Sequence, residues 1–346
     1  AERSGVSGEK LGALHQHLQV GVPEDAHKGA NTQTLSEKRK RLAEKKKNKK
    51  RKAHNGSLGA APSQDQCNQL LGHYQAGRLE DAEALAKSLT QKFSKHPFAW
   101  KVLGAVLKQM NRPSESLPIM HKCVQLAPQD PSAHSNFGAV LHELGRLTDA
   151  KESYEKALAL NSNLAEAHSN LGNTLREMGE LSEAEACYRK AIAINPKYFD
   201  AHNNLGTALR ELGRLDDAEV SCRQAIVLNP AFADAHANLA ATLLDKGRLQ
   251  EAECISLQAI ALDSRSARAH YNLGVALQEL GRLKEAEASY RQAISLQPDL
   301  VDAHRNLALT LLAIGKLDEV EGSFRRAISL DPDSLTCHSE LLKYLY

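Results

Sequence analysis

One 34-residue stretch decides the fold: residues Phe199–Phe232, which read FDAHNNLGTALRELGRLDDAEVSCRQAIVLNPAF. Its first half places Leu205 and Leu209 on one side of a helix with about 3.6 residues per turn, and Gly213 is placed to end that helix. Its second half carries another apolar stripe with helical spacing, and Pro230 follows where that stripe stops. The stretch therefore predicts two antiparallel helices joined by a glycine turn.

The same pattern returns every 34 residues along the chain. It predicts eight units over residues 63–334 and the first helix of an incomplete ninth unit over residues 335–346, without any strand. In the fourth unit, Ser182 and Glu185 have the spacing of a capping box, which predicts the start of a second helix there. A small residue on the first helix marks a close approach to the second, and it recurs as Gly104, Gly138, Gly172, Gly206, Ala240, Gly274 and Ala308.

This repeat resembles the tetratricopeptide repeat family over about four fifths of the chain. The resemblance implies an all-α solenoid, a right-handed superhelix of antiparallel helix pairs. The first unit departs from the pattern because Leu70 replaces the glycine, as in a terminal cap. The residues that carry the resemblance are Trp100, Leu103, Gly104 and Leu107 on a first helix and the small, aromatic and proline positions Ala184, Tyr188 and Pro196.

The composition fits stacked helices with small contact residues. Hydrophobic residues make up 42% of the 346 residues and aromatic residues only 4%, fewer than a sandwich or barrel would need. The six cysteines form no C-x-x-C pair, so we interpret them as reduced thiols of a cytoplasmic protein. The sequence has no apolar run of the roughly 20 residues that a membrane span needs, and no secretory signal is recognisable.

Residues 1–60 form a leader without an apolar period, and we predict that it is disordered. Its basic run, residues 38–52, has eleven Lys or Arg against Glu44 alone, a local charge of +10. The run contains no aromatic residue, so a nucleic-acid partner would be held by its phosphates rather than by base stacking. A nuclear import signal, a tether to an anionic surface and a solvating leader are alternatives.

From Gly138 onward, an asparagine recurs two residues before the small residue of each first helix. Asn is a mediocre helix former, so its return at one mid-helix position indicates another role. Its carboxamide can pair with both groups of a peptide bond, and with repeats about 10 Å apart one asparagine would meet roughly every third residue of an extended peptide. Bonding between neighbouring helices is the alternative. The row consists of Asn136, Asn170, Asn204, Asn238, Asn272 and Asn306.

The asparagine row makes the array similar to the repeat arm of O-linked N-acetylglucosamine transferases, in which the equivalent residues grip the backbone of the substrate. That resemblance also suggests a parallel acidic row four residues earlier, interrupted by Arg268. Spacing of four puts each acid on the same helix face as its asparagine, so the face should favour peptides with Lys, Arg, Ser or Thr. A solvated acidic face is the alternative. The acidic row consists of Glu166, Asp200, Asp234 and Asp302.

A row of seven histidines also recurs, and its first six members lie two residues before the asparagines. Zinc needs ligand nitrogens within about 2.1 Å of one ion, whereas neighbours in this row should lie about 9 Å apart on successive repeats. We therefore interpret the histidines as packing residues with a polar tip, and we assign no metal, no cofactor and no catalytic residue. The row consists of His134, His168, His202, His236, His270, His304 and His338.

Three functions agree with these patterns. The first is a protein interaction scaffold that holds an extended peptide in a concave groove, without a catalytic centre of its own. The second is the substrate-recognition arm of a glycosyltransferase whose catalytic domain lies beyond Tyr346, which would make the chain the non-catalytic part of an enzyme. The third is a protein that associates with nucleic acid through residues 38–52.

Overall fold

A computed structural model describes residues 61–345, so the leader of residues 1–60 and its basic run lie outside the described residues. Within residues 61–345 the chain forms 17 α-helices and no strand. A longer and a shorter helix alternate, and each consecutive pair packs as a hairpin. The predicted all-α tetratricopeptide solenoid is confirmed.

The chain divides into unit 1, Ala1–Asn163, and unit 2, Leu164–Tyr346. In unit 1 the helices are α1 Gln64–Gln75, α2 Leu79–Lys92, α3 Pro97–Gln109, α4 Pro113–Leu126, α5 Pro131–Glu143 and α6 Leu147–Leu160. In unit 2 they are α7 Ala165–Glu177, α8 Leu181–Ile194, α9 Phe199–Glu211, α10 Leu215–Leu228, α11 Ala233–Asp245, α12 Leu249–Leu262, α13 Ala267–Glu279, α14 Leu283–Leu296, α15 Val301–Ala313, α16 Leu317–Leu330 and α17 Leu335–Leu345. Odd-numbered helices are the first helices of the repeats, and even-numbered helices are the second.

The small residue of each first helix lies directly under a side chain of its partner. In the α9–α10 hairpin, a Cβ added to Gly206 would lie 2.5 Å from Sγ of Cys222. In the α7–α8 hairpin the same place is covered by the ring of Tyr188, 2.6 Å from a Cβ on Gly172. The hairpins with a glycine at this position therefore pack backbone against side chain, as the series predicted for Gly104, Gly138, Gly172, Gly206 and Gly274.

The turn between α9 and α10 needs a residue with positive φ. Gly213 has φ 75°, and the N–H of Arg214 donates to the carbonyl of Leu209 at 2.8 Å, the long bond of a Schellman motif. The second helix of the preceding repeat, α8, begins differently from our prediction at Ser182. Helix α8 already begins at Leu181 and has no side-chain cap, so the predicted capping box is wrong.

Glu185, the other half of that predicted capping box, instead faces the following repeat. Arg214 bonds to both Glu185 oxygens, at 2.8 and 2.9 Å, and also to Asp217 three residues later. The cation that precedes α10 thus ties the second helix of the preceding repeat to its own. Equivalent inter-repeat ion pairs join Arg112 to Glu83, Arg248 to Glu219, Arg282 to Glu253 and Lys316 to Glu287.

Glu219 is the most heavily paired carboxylate in this series. Burial by itself would raise its pKa, but hydrogen bonds from Lys246, Arg223 and Arg248 outweigh burial and lower the pKa of Glu219 to about 2. A glutamate in the unfolded chain titrates near about 4.3. The folded state therefore binds this proton less tightly, and the stability that the carboxylate contributes is present above about pH 4.3 and is lost as the pH falls toward 2.

We expect Glu219→Gln to lower the urea midpoint of unfolding by the same amount at pH 7 and pH 6, and by progressively less as the pH falls below about 4.3 to pH 3. The control is Glu183→Gln, because Glu183 is an exposed acid of α8. A deficit for Glu219→Gln that stays constant from pH 7 to pH 3 would contradict this account of its ion pairs.

Unit 1 uses two local variations on the repeat. Leu70, which replaces the glycine of the first repeat, is fully buried in one cluster with Ala82 and Ala86, so a large residue on the first helix meets small ones on the second. Lys101 is 4% exposed, and its Nζ donates to Asp130 at 2.8 Å. Because Asp130 also caps α5, this ion pair joins the second and third repeats.

Candidate functional site

The first helices of unit 2 form one layer, which we call the first-helix face. Helices α7, α9, α11, α13 and α15 contact their neighbours in this layer more extensively than the second helices contact one another. The first helices are therefore closer together, and this layer is the inner side of unit 2. Side chains at equivalent positions of successive repeats form rows across it.

The asparagines of the predicted row lie between successive first helices. From α9 onward, each side-chain Nδ2 donates to a residue of the preceding repeat. The observed pairs are Asn204 to Oδ1 of Asn173 at 3.0 Å, Asn238 to Oδ1 of Asn203 at 2.7 Å, Asn272 to the carbonyl of Ala237 at 2.8 Å, and Asn306 to the hydroxyl of Tyr271 at 3.3 Å.

Burial separates the members of this row. Asn272 is 3% exposed and Asn238 7%, so their amides serve the stack rather than the surface. Asn170 is half-buried, and its amide has no hydrogen-bond partner within residues 61–345. In unit 1, Nδ2 of Asn136 is likewise buried without a partner among the described residues. A peptide-binding role for the row stays a prediction. Asn170 is the position where a substitution would test binding without removing a hydrogen bond between repeats.

The acidic row lies at the first turn of the same helices. Glu166, Asp234 and Asp302 are exposed, and Asp200 is half-buried. Tyr198 directly precedes α9, and its burial, followed by the carboxylates of Glu166 and Asp200, raises the pKa of its hydroxyl. Both acids therefore act electrostatically on this one hydroxyl.

Arg268, which interrupts the acidic row, pairs with the preceding repeat. Its guanidinium donates to Oδ1 of Asp234 at 2.8 Å and to Oδ1 of Asn238 at 2.9 Å. Asp234 and Asn238 thus lie on one side of α11, as their spacing of four predicts. The same contact neutralises Asp234 in part and occupies the oxygen of Asn238.

Negative charge is concentrated on three of the five helices. Helices α7, α9 and α11 carry six carboxylates against two guanidinium groups, a net charge of −4, whereas α13 and α15 are each neutral. The two arginines are bound by acids of the next repeat, Arg176 by Glu211 at 2.8 Å and Arg210 by Asp245 at 3.1 Å. The acidic part of the face is therefore α7, α9 and α11.

The other end of the face is apolar, which sequence reasoning missed. Val275 and Leu309 directly follow the small residue of their helices and are half-buried, and Leu312 is 40% exposed. In α7 and α9 the position after the small residue is polar, Asn173 and Thr207. Aligning the residue after each Gly or Ala could have revealed this change along the array.

The histidines bind the turn that precedes each first helix. Nε2–H of His202 donates to the carbonyl of Pro196 at 3.1 Å, and His134, His270, His304 and His338 make the same bond to the carbonyl six residues earlier. In His236 it is Nδ1 that bonds, to the carbonyl of Phe232. Among the described residues no three His, Cys, Asp or Glu side chains are arranged to hold a metal ion.

Within residues 61–345, none of the helices is both long and apolar enough to cross a lipid bilayer.

The described cysteines are free thiols, and burial raises the pKa of Cys123 and of Cys222 to about 12. Both thiols therefore stay protonated and act as small core residues, whereas Cys254 is exposed.

Solved structures show the same fold. The Cut9-Hcn1 hetero-tetramer of the APC/C matches with a TM-score of 0.66 and 16% identity, over 78% of this chain and 53% of that one, so the chain spans about half the length of that relative. A tetratricopeptide repeat protein from Parabacteroides merdae matches with a TM-score of 0.58 and 17% identity, over 70% and 96%. PilF of Pseudomonas aeruginosa matches with a TM-score of 0.54 and 20% identity, over 62% and 97%.

Comparison with curated proteins gave no match by sequence. A family model does match, the one described as the Cilia and flagella-associated protein 70 C-terminal domain, over residues 80–340. That range covers well over half of the chain and contains repeats of both units. The chain therefore belongs to this tetratricopeptide-repeat family.

Proposed function

We propose that this repeat scaffold binds an extended, cationic segment of a partner protein along the first-helix face. The observation that carries the proposal is the charge of α7, α9 and α11, six carboxylates against two guanidinium groups on the inner layer of unit 2. Glu166 is exposed and has no ion-pair partner among residues 61–345, so helix packing does not account for it. A ligand with Lys or Arg side chains would neutralise this surface.

The spacing of the repeats suits an extended ligand. Neighbouring first helices should lie about 10 Å apart, and an extended chain advances about 3.3 Å per residue. Each repeat would then meet every third residue, and three helices would hold roughly seven to nine. We propose that Asn170 pairs with a peptide bond of this ligand. The bonded asparagines of α9, α11, α13 and α15 would hold the helices in register beneath it.

The asparagine and acidic rows also support the form of this proposal in which the array is the recognition arm of a glycosyltransferase. That form uses the same face and adds a catalytic domain. Transfer of N-acetylglucosamine to a peptide bound at this face, by a protein that contains the array, would support it. Transfer that does not depend on Glu166 or Asn170 would contradict it.

We expect the double variant E166K/D234K to weaken binding of a labelled, unstructured Lys- and Ser-rich peptide by at least about tenfold. Each reversal removes an attractive charge and adds a repulsive one, and about 1.4 kcal/mol corresponds to one decade of affinity. Fluorescence anisotropy at about 0.1 M salt measures the Kd, because exposed charges are still felt at that ionic strength.

The matched control is E183K/D216K on the second helices α8 and α10. All four acids lie in the first turn of a helix, so the effects on helix dipoles are alike. Each pair also contains one acid with a bound cation, Asp234 with Arg268 and Asp216 with Lys246. Equal affinities of the two double variants would refute binding at the first-helix face.

A further inference from the structure

We propose that two copies of this chain associate through the outer surface of α10 and α12 to form a two-fold symmetric dimer. The second helices are the outer layer of unit 2, so this surface lies on the side away from the first-helix face. The inference therefore does not rest on the proposed function. The ligand of this surface is the same surface of a second copy.

The outer surface of α10 and α12 is apolar. On α10, Val220 is 68% exposed and Val227 is 72% exposed. The exposed residues of α12 carry no charge, and they are Gln250, Cys254, Leu257, Gln258, Ala261 and Leu262. The two helices are neighbours on this surface, where Arg223 of α10 donates to Glu251 of α12. Single exposed hydrophobic residues are ordinary, but a contiguous set on two neighbouring helices indicates a contact surface. We call Val220, Val227, Cys254, Leu257 and Ala261 the outer patch.

The neighbouring second helices lack this apolar set. Where α12 has Leu257, α8 has Arg189 and α14 has Arg291. Each of these arginines pairs with the glutamate four residues before it. The positions of the two valines hold Ala186 and Ala193 in α8, and Ala288 and Ser295 in α14. These helices form the same hairpins, so the repeat does not need the outer patch in order to fold.

The spacing of the outer patch is self-complementary. Val220 and Val227 lie seven residues apart on α10, and Cys254 and Ala261 lie seven residues apart at the equivalent positions of α12. Both distances along the helix are about 10.5 Å. A half-turn about an axis between the two helices lays α10 of each copy antiparallel on α12 of the other. Val227 then faces Cys254 of the second copy, and Val220 faces Ala261 of the second copy.

Charge complementarity supports the same register and selects a second copy as the partner. Asp216 lies four residues before Val220, and Arg265 lies four residues after Ala261. The half-turn therefore places Asp216 opposite Arg265 of the second copy, at both ends of the outer patch. Arg265 is exposed, and its guanidinium makes no ion pair within residues 61–345. Lys246 bonds to Oδ1 of Asp216 and leaves that side chain 94% exposed, so Oδ2 is open to a second cation.

No like charges meet in the middle of this register. Arg223 faces Gln258 of the second copy, and Leu257 faces Gln224 of the second copy. Like charges placed opposite each other would cost several kcal/mol, so their absence favours this pairing over one that brings Arg223 against a basic residue.

The size of the outer patch sets the expected affinity. Helices α10 and α12 have 14 residues each, so each is about 21 Å long. Because the apolar set is confined to these two helices, the interface should bury less than roughly 1,200 Å² in total, the range of weak and transient complexes. We therefore expect a dimer that forms at about 100 μM protein and dissociates at about 1 μM.

Sedimentation equilibrium of the full 346-residue chain between about 1 and 200 μM tests the dimer. The wild-type mass should rise from that of one chain to that of two. The variant V220A/V227A/L257R gives α10 and α12 the residues that α8 has at these positions, so the repeats should keep their fold. We expect it to raise the dissociation constant of the dimer by at least about tenfold.

The control is Leu342→Arg on α17. Leu342 is 54% exposed and Leu257 is 49% exposed, so the control removes a similar apolar surface and adds the same charge outside the outer patch. It should dimerise like the wild-type chain. A wild-type chain that stays monomeric to 200 μM would overturn the proposal. So would a mass above that of two chains, dimerisation of the triple variant at wild-type strength, or loss of the dimer in the control.

Disulfide trapping tests the antiparallel register. Val227→Cys places a thiol opposite the exposed Cys254 of the second copy, at a separation that a disulfide can span. Val220→Cys is the matched control, because it also replaces an exposed valine of α10 but lies about 10.5 Å along the helix from that cysteine. Within one chain, the thiols of Cys254 and of the Val227→Cys variant lie at opposite ends of the outer patch, so the bond joins two copies.

With oxidised glutathione as the oxidant and about 100 μM protein, Val227→Cys should give a covalent dimer on a non-reducing gel. Val220→Cys and the wild-type chain should stay monomeric on the same gel. Equal trapping of the two variants, or no trapping of Val227→Cys, would overturn the proposed register.

Discussion

Gly206→Leu is expected to destabilise unit 2 by about 3 kcal/mol, at the upper end of what overpacking a core costs. A Cβ at this position lies 2.5 Å from Sγ of Cys222, and it is also 3.2 Å from the carbonyl oxygen of Ala218. The thiol can rotate, but the backbone of α10 cannot withdraw without separating the hairpin. For a unit of this size the melting temperature should fall by roughly 6–12 °C.

Gly322→Leu is the matched control, because Gly322 is a helical glycine of α16 with no atom within 4 Å of its added Cβ. Replacing an exposed helical glycine improves helix propensity by up to about 1 kcal/mol, so this variant should melt at or above the wild-type temperature. Circular dichroism at 222 nm measures the melting temperatures of both variants. Equal melting of the two variants would show that α9 and α10 do not touch at Gly206.

The triple variant N204A/N238A/N272A is expected to lower the stability of unit 2 by roughly 1.5–4.5 kcal/mol, since each lost bond contributes about 0.5–1.5 kcal/mol. All three amides donate to the preceding repeat, and for Asn272 the acceptor is the backbone carbonyl of Ala237, which is left buried without this donor. The gain in helix propensity from Ala offsets part of the loss. Thermal and urea unfolding measure the difference.

Asn170→Ala is the informative companion to this triple variant. Its amide has no partner within residues 61–345, so its removal should leave the melting temperature within a degree or two of wild type. If Asn170 pairs with a peptide bond of a ligand, Asn170→Ala should lower the affinity for the Lys- and Ser-rich peptide by about two- to tenfold. Unchanged peptide affinity would show that the asparagine row serves packing alone. A large loss of stability would contradict the observation that the Asn170 amide has no partner within residues 61–345.

Much of the fold was predictable because the same turn and contact residues recur in successive 34-residue repeats. Gly213 and its equivalents need a positive φ and therefore end each first helix, and the small residue at Gly206 is required by a side chain 16 residues later. The prediction at Ser182 was wrong because α8 already begins at Leu181, so Ser182 lies inside the helix and not at its cap. Glu185 instead makes an ion pair with Arg214 of the next repeat, a contact that the local spacing could not reveal.

The candidate site was only partly predictable. Spacing placed Asp234 and Asn238 on one side of a helix, and both contact Arg268. The period could not distinguish an asparagine that faces a ligand from one that bonds to the preceding repeat, because both recur every 34 residues. Nor did it reveal the apolar end of the face at Val275 and Leu309, since these positions differ from repeat to repeat.

The sequence by itself determined the class of fold, the repeat length, the helix pairs and the charge of each segment, because these depend on local spacing and composition. Only the tertiary structure decided which polar groups bond to neighbouring repeats and which remain available to a ligand. Asn272 and Glu219 look exposed on a helical wheel, yet neighbouring repeats bury the first and surround the second with cations. The reason is that stacking brings together residues about 30 positions apart, and a polar group is available to a ligand only after those contacts are made.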